Sequence, residues 1–293
     1  MTYSSPAPPQ KPSRRKVELV VLSDIHLGTY GCHAKELCQY LKSIEPEILV
    51  LNGDIIDIWQ FSKRYWPKEH MKVVKHILNK AAHGTKVYYL TGNHDETLRK
   101  FEGLEMGNIQ ILNKLELELG GKKTLFFHGD VFDVTMQYSK WLAKLGAISY
   151  DALILLNVFV NKVSKMFGGK RFSLSKTIKD NVKSAVKFIN DFEQSAIILA
   201  QEKGFDNVVC GHIHQPQNKL IENGTGNTVR YLNSGDWIEN LTSLEFHEGE
   251  WNVCNFNTEQ TPDTIGFELD ENLVLAELDN KKVFEMMLAE FKN

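Results

Sequence analysis

Five short apolar runs, each leading into Asp, Asn or His, constrain this chain more than any other feature. They are residues 17–23 (VELVVLS), 47–52 (EILVLN), 86–91 (KVYYLT), 124–128 (TLFFH) and 207–210 (NVVC). Short runs of β-branched, aliphatic and aromatic residues bounded by Gly and polar positions read as buried strands. Asp24-Ile25-His26 follows the first run and Gly53-Asp54 the second. Gly92-Asn93-His94-Asp95 follows the third, His128-Gly129-Asp130 closes the fourth, and Gly211-His212-Ile213-His214 follows the fifth. Ligands of open α/β sheets bind beyond the carboxyl ends of the strands. Five such ends therefore deliver one polar set to one region. No single motif is diagnostic, since Gly-Asp is commonplace, but the ordered recurrence of all five is.

Helical spacing fills the gaps between the early runs. Leu37, Cys38, Leu41 and Ile44 mark a helix over Ala34–Ile44, and Val73, Val74, Ile77 and Leu78 mark one over Glu69–Ala82. Strand–helix–strand alternation predicts an α/β layered fold with a largely parallel inner sheet. Beyond residue 214 the pattern changes to short strand candidates at Lys219–Ile221, Thr228–Leu232, Ser243–Phe246 and Trp251–Phe256. These predict a second, antiparallel sheet. Residues 134–204 lack the strand pattern and read as a helical insertion, with segments around 138–163 and 174–203. Residues 1–16 read as a disordered tail and 17–293 as one domain, closed by a helix over 280–292.

Composition excludes several classes. The 34 basic and 37 acidic residues give a net charge of −3, where a nucleic-acid binder more often carries a basic excess; no nucleic-acid partner is expected. The amino-terminal MTYSSPAPPQKPSRRK has no apolar core and so is not a secretory signal. No run of about 18 uncharged apolar residues is present for a membrane span; the nearest, Ala152–Val160, is flanked by Asp151 and Lys162. Cys32, Cys38, Cys210 and Cys254 show no paired spacing, which suits a reducing, cytoplasmic setting. Cys210 reads as a small core residue.

The strand-end set contains imidazole, carboxylate and amide but no thiolate. That argues against a structural Cys-type zinc site and for ions such as Mn, Fe, Zn or Mg. The five motifs together resemble the calcineurin-like metallophosphoesterases, whose pattern is D-x-H, G-D, G-N-H-D/E, H and G-H-x-H. The resemblance implies a four-layer α/β sandwich of two mixed β-sheets flanked by helices, and a pair of divalent ions, manganese first among them. Carried over motif by motif, Asp24, His26 and His214 would hold one ion and Asn93, His128 and His212 the other, with Asp54 shared. His94 would stand beside the scissile phosphorus without binding metal. In such a site a metal-activated water attacks phosphorus in line. Asn93 and His94 would donate where charge develops, and a protonated His94 would donate to the leaving oxygen. Asp95 and Asp130 have two readings: each orients a histidine, or each is a turn or cap carboxylate. A non-catalytic scaffold of the same fold is the alternative of another class; the retention of every expected ligand argues against it.

Within the superfamily, the spacing, the H-G-D-x-F-D run at His128–Asp133 and the insertion near Trp141 resemble the UDP-2,3-diacylglucosamine hydrolases over about residues 17–247. That resemblance implies a pyrophosphate in a lipid-linked nucleotide as substrate, cleaved at the inner membrane face. It also implies an insertion serving as a lid over acyl chains, with Leu142, Leu145, Ile148, Leu153 and Leu155 as its apolar surface; a helical pair burying its own faces is the other reading. Lys170, Arg171, Lys176, Lys179, Lys183 and Lys187 would either meet phosphate or sugar groups or form a solvated helix face. One residue departs from the pattern: well-known members have Arg where this chain has His94, which keeps a general phosphodiesterase or phosphatase open. Trp59, Phe61, Tyr65 and Trp66 would wall a pocket or simply pack, and Tyr231–Trp237 would lie at the rim. His33, His70, His76, His83 and His247 show no ligand spacing and are assigned to surface or helix faces.

Overall fold

A computed structural model describes residues 14–59, 65–135, 174–222 and 228–256. Most of the insertion and the closing helix expected over 280–292 lie outside these residues. The first sheet has seven strands. β1 (Arg15–Leu22), β2 (Ile44–Asn52), β3 (Lys86–Leu90) and β5 (Ile109–Leu112) run parallel, with β4 (Glu105–Met106) antiparallel on one edge. On the other edge, β11 (Thr242–His247) pairs antiparallel with β1, and β12 (Glu250–Asn255) with β11. The second sheet orders β6 (Lys114–Leu119), β7 (Lys122–Phe127), β8 (Asn207–Cys210), β10 (Thr228–Asn233) and β9 (Gln217–Glu222).

The two mixed sheets implied by the family resemblance are present, and the antiparallel second sheet read from the strand pattern is corrected. The second sheet is mixed: β7, β8 and β10 are parallel, and only β6 and β9 are antiparallel additions. The five founding runs are also divided, with β1, β2 and β3 in one sheet and β7 and β8 in the other. Local pattern identifies a strand but not its neighbour, because pairing is a long-range choice. The β6–β7 hairpin is absent from the sequence reading, yet its signal is present. Leu115, Leu117 and Leu119 alternate before Gly120-Gly121, and both glycines take the positive φ that a two-residue hairpin turn requires.

Side-chain alternation along each strand builds the layers. Leu19 and Val21 face inward with Val50, Leu90, Phe126, Val209, Leu232 and Trp251, filling the space between the sheets. Val20 and Leu22 face outward onto Leu37, Leu41, Val73 and Ile77, from α1 (Ala34–Ser43) and α2 (Lys68–Ala82). Val208 and Cys210 face the other way, onto Phe192, Ala196 and Ala200 of α4 (Leu174–Lys203). Helices, sheet, sheet and helix make the four layers. Among the described residues no helix is long and apolar enough to cross a membrane.

A buried polar knot ties α1 to both antiparallel neighbours. Glu245 of β11 accepts hydrogen bonds from Arg15 and, at 2.7 Å, from the Tyr40 hydroxyl, which in turn accepts from Ser243 at 2.8 Å. Burial pushes the Glu245 carboxyl up, but Arg15 and Tyr40 outweigh it and hold the group below its ordinary value. A depressed carboxyl stabilises the fold above its unfolded pKa, and that stability is lost as pH falls through the depressed value. Tyr40→Phe should cost about 1.5–3 kcal/mol, the range for a hydrogen bond to a charged group, as read from urea denaturation at neutral pH. An unchanged midpoint would show that Tyr40 contributes packing alone.

Candidate metal centre

All five strand ends converge, and the backbone there is unusual. Asp24, His26, Asp54, His212 and His214 have φ of 51°, 52°, 55°, 70° and 53°. Non-glycine residues take this left-handed region infrequently, with Asp, Asn and His the most tolerant. Asp24 and His26 could not converge from a continuing strand, because alternate residues there share a face and stay apart. The left-handed turns fold them back. The Asp24 and His26 amides then donate to the Gly53 and Asp54 carbonyls at 3.1 and 2.9 Å, locking two loops together. Gly92 is required for space, because a Cβ there would collide with the Asp54 carboxylate and the His128 ring.

Three groups of ligand-type atoms result, each within 4.8 Å. They are Asp24, His26 and His214; His26, Asp54 and His94; and Asp54, His128 and His212. Asp54 is common to the last two. Its Oδ1 accepts the His94 amide at 2.8 Å, while its Oδ2 stands 3.2 Å from His128 Nε2 and 3.9 Å from His26 Nε2. Across the site, Asp24 Oδ1 lies 3.2 Å from His214 Nε2.

Carboxylates and carbonyls behind the imidazoles set their orientation. His128 Nδ1 is 2.9 Å from the Asn52 carbonyl, so it carries the proton and leaves Nε2 as a lone-pair donor. Asp57, 1% exposed, sits between two rings, 3.2 Å from His26 Nδ1 and 2.9 Å from His94 Nδ1. Asp236 is 3.8 Å from His214 Nδ1, and Asp133 is 2.9 Å from His212 Nε2. Asp57 and Asp236 were not singled out in the sequence, and Asp133 appeared there only inside a motif. Their available signal is position: Asp57 is three residues past Asp54 and Asp133 five past His128. Asp236 lies within the stretch placed at the rim.

The open readings of Asp95 and Asp130 are decided. Asp95 accepts from the Gly92 and Ile55 amides at 2.6 and 3.0 Å and from the Tyr89 hydroxyl at 2.6 Å. It closes its own turn and orients no histidine. Asp130 pairs with Arg99. Trp59, 55% exposed, stacks on His94 with ring centroids 4.6 Å apart. Tyr65 and Trp66 instead pack on His70, and Phe61 lies outside the described residues. His70 is a helix residue as expected, but it is buried, and its Nδ1 accepts the Gly28 amide at 2.9 Å. Lys170 and Arg171 also fall outside the described residues. Lys176, Lys179 and Lys183 belong to α4, though their side chains are not among those described; Lys187 is exposed there.

The residues suit divalent ions. Asp24 Oδ1, His26 Nε2, Asn93 Oδ1 and His128 Nε2 are buried and make no hydrogen bond within the chain. Buried polar atoms are ordinarily satisfied, and a cluster of O and N lone pairs without thiolate is the donor set of Mn, Fe, Zn or Mg.

Comparison with known proteins agrees. Residues 17–216 match the family described as Metallophos, calcineurin-like phosphoesterase. The chain belongs to this family of metal-dependent phosphoester hydrolases. Among curated relatives, UDP-2,3-diacylglucosamine hydrolase of Aliivibrio fischeri is 24% identical over 239 residues, covering 78% of this chain and 95% of that protein. The enzyme of the same name from Escherichia coli K12 is 28% identical over 183 residues, covering 61% and 73%. A solved phosphoesterase from E. coli superposes with a TM-score of 0.39 at 14% identity, covering 82% of this chain and 99% of that one.

Burial alone would raise the Asp24 carboxyl and lower His214. Their mutual attraction, with His128 acting on Asp24 and Asp236 and Asp54 on His214, reverses both, taking Asp24 down to about 2 and His214 up to about 9. A raised histidine stabilises the fold below its unfolded pKa and loses that stability as pH rises through its folded value. Chelator-treated protein should therefore lose thermal stability as pH rises through about 9. Asp24→Asn should shrink that component, leaving the part due to Asp236 and Asp54; equal losses in both proteins would rule the pair out as its source.

Proposed function

We propose that this chain cleaves the pyrophosphate of UDP-2,3-diacylglucosamine, releasing UMP, with two manganese ions at the strand-end cluster. One observation carries the two-ion reading. Ligand-type groups meet in a chain of overlapping sets: His26 links the Asp24–His214 set to Asp54, and Asp54 links that set to His128 and His212. Asp24, His26 and His214 would hold one ion, and Asn93, His128 and His212 the other. The substrate reading rests on the name shared by the curated relatives. A lipid-linked nucleotide would be met at the inner membrane face, with the insertion near the acyl chains and the α4 lysines near phosphate.

Bound divalent ions supply Lewis acidity and an activated water. The chain's own residues do the rest. Asn93, whose Oδ1 is buried and unbonded, would ligate. His94 has one nitrogen committed to Asp57 and its amide committed to Asp54. Burial lowers the His94 pKa, but those two carboxylates outweigh it and raise the group above its ordinary value. In its protonated form such a histidine can donate to a leaving oxygen. Trp59, stacked on His94 and open to solvent, would offer the leaving group an apolar face.

The test uses purified chain with Mn²⁺. UMP should appear from UDP-2,3-diacylglucosamine, and Asp54→Ala should lose both ions and turnover. Wild-type protein that takes up no ion and hydrolyses no phosphoester would overturn the proposal. The Asp57–His94 pair favours a second reading, a phosphoester with an alkoxide leaving group. For such a substrate, His94→Gln should cost roughly 10²-fold or more in kcat, the scale of general acid catalysis, and much less for an activated aryl ester. Equal losses on both esters would remove His94 as the proton donor.

A further inference from the structure

Three imidazoles of the cluster, those of His128, His26 and His212, have hydrogen-bond partners from different parts of the fold. His128 is set by the carbonyl of Asn52, at the end of β2. His26 is set by Asp57, from the loop after the same strand. His212 is set by Asp133, which belongs to neither sheet. Asp133 lies on α3 (Val131–Thr135), a single short turn after the β7 loop. Its Oδ1 stands 2.9 Å from His212 Nε2.

We propose that Asp133 is the positioning residue for one ion of the pair, the one assigned to Asn93, His128 and His212. The inference rests on the two-ion reading above. An ionised carboxylate only accepts, so Nε2 carries the proton and Nδ1 is left as the lone-pair nitrogen of His212. Rotation of the ring is opposed on other sides. It packs against Phe192 with centroids 5.9 Å apart and edge-on to His128 at 5.1 Å. The backbone of His212 is held separately, by its amide donating to Asp24 Oδ2 at 3.0 Å. The contact with Asp133 therefore fixes the tautomer, while the others fix place and plane.

Asp133 depends in turn on how α3 sits. Phe132, the preceding residue, packs edge-on against Phe127 of β7 at 5.7 Å and Phe192 of α4 at 5.5 Å. Those aromatic contacts seat the single turn that presents the carboxylate. The other ion would draw on Asp24, His26 and His214, none of which touches α3 among the contacts described. α3 thus supports the His212 side of the cluster alone, although Asp24 also holds the His212 backbone.

Calorimetric titration of Mn²⁺ into chelator-treated protein tests this. Wild type should bind two ions. Asp133→Ala should bind one ion with wild-type affinity and the second roughly 10–100-fold more weakly, the usual cost of losing a ligand's hydrogen-bond partner. Asp133→Asn keeps an acceptor for Nε2–H and should fall between them. His212→Ala should lose the weakened ion altogether. Wild-type affinity for the first ion serves as the folding control in every variant. The proposal is overturned if Asp133→Ala binds both ions as wild type does, or weakens both equally. Wild type binding a single ion would instead sink the two-ion reading itself, whatever the variants do.

Discussion

The Asp54 carboxylate is buried at the junction of loops from two different sheets, and much of the molecule is arranged around it. It follows β2 of the first sheet, yet its nearest imidazole, His128, closes β7 of the second. An isolated carboxylate in that position would be strongly disfavoured by desolvation. Burial does push its pKa upward, but His128, His26 and His94 outweigh burial and hold it well below the ordinary range. Asp24 repeats the arrangement with His214, which follows β8. The sheets thus meet through apolar side chains along their faces and through charge at their carboxyl ends. Neither sheet can present its polar residues without the other, which makes assembly of the sandwich and assembly of the site one event.

The geometry of that junction is maintained at a conformational cost. Five of the seven non-glycine residues with positive φ among the described residues are Asp24, His26, Asp54, His212 and His214. Strain of this kind persists where the surroundings over-determine it. Here the surroundings are the interlocked amides of Asp24 and His26 on the Gly53 and Asp54 carbonyls, and Asp95 bridging the Gly92 and Ile55 amides. Asp95 therefore serves the site without touching an imidazole. It fixes the distance between the loop that carries Asp54 and the loop that carries Asn93 and His94.

Much of this was legible in the sequence, and what was not has a physical reason. The strands of the five founding runs announce themselves because β-branched and aliphatic runs bounded by polar turns have few other uses. The residues at their ends were legible because chemistry restricts them to Asp, Asn and His. The division of those strands between two sheets was not legible, since β7 and β1 carry the same local signal and differ only in partner. Asp57, Asp133 and Asp236 were hard to see for a different reason. A carboxylate that orients a histidine needs only to be near it in space, and nothing in its own neighbourhood distinguishes it from a turn residue. Asp95 and Asp130, equally plausible by spacing, turned out to bind backbone amides and Arg99.

The same logic bears on His94, where the resemblance to the diacylglucosamine hydrolases implies Arg and the wider family pattern His. An arginine is always charged and can only attract the phosphoryl oxygens. A histidine in that place can do so and also release a proton, provided a neighbour keeps it protonated and correctly turned. Asp57 stands 2.9 Å from His94 Nδ1 and favours the charged ring, and the same carboxylate also holds His26. One carboxylate thus faces both His26 and His94. A leaving group that accepts that proton gains from the exchange, whereas a nucleotide leaving as a stable anion gains little. The protonation chemistry at this ring is thus tied to a carboxylate three residues beyond Asp54.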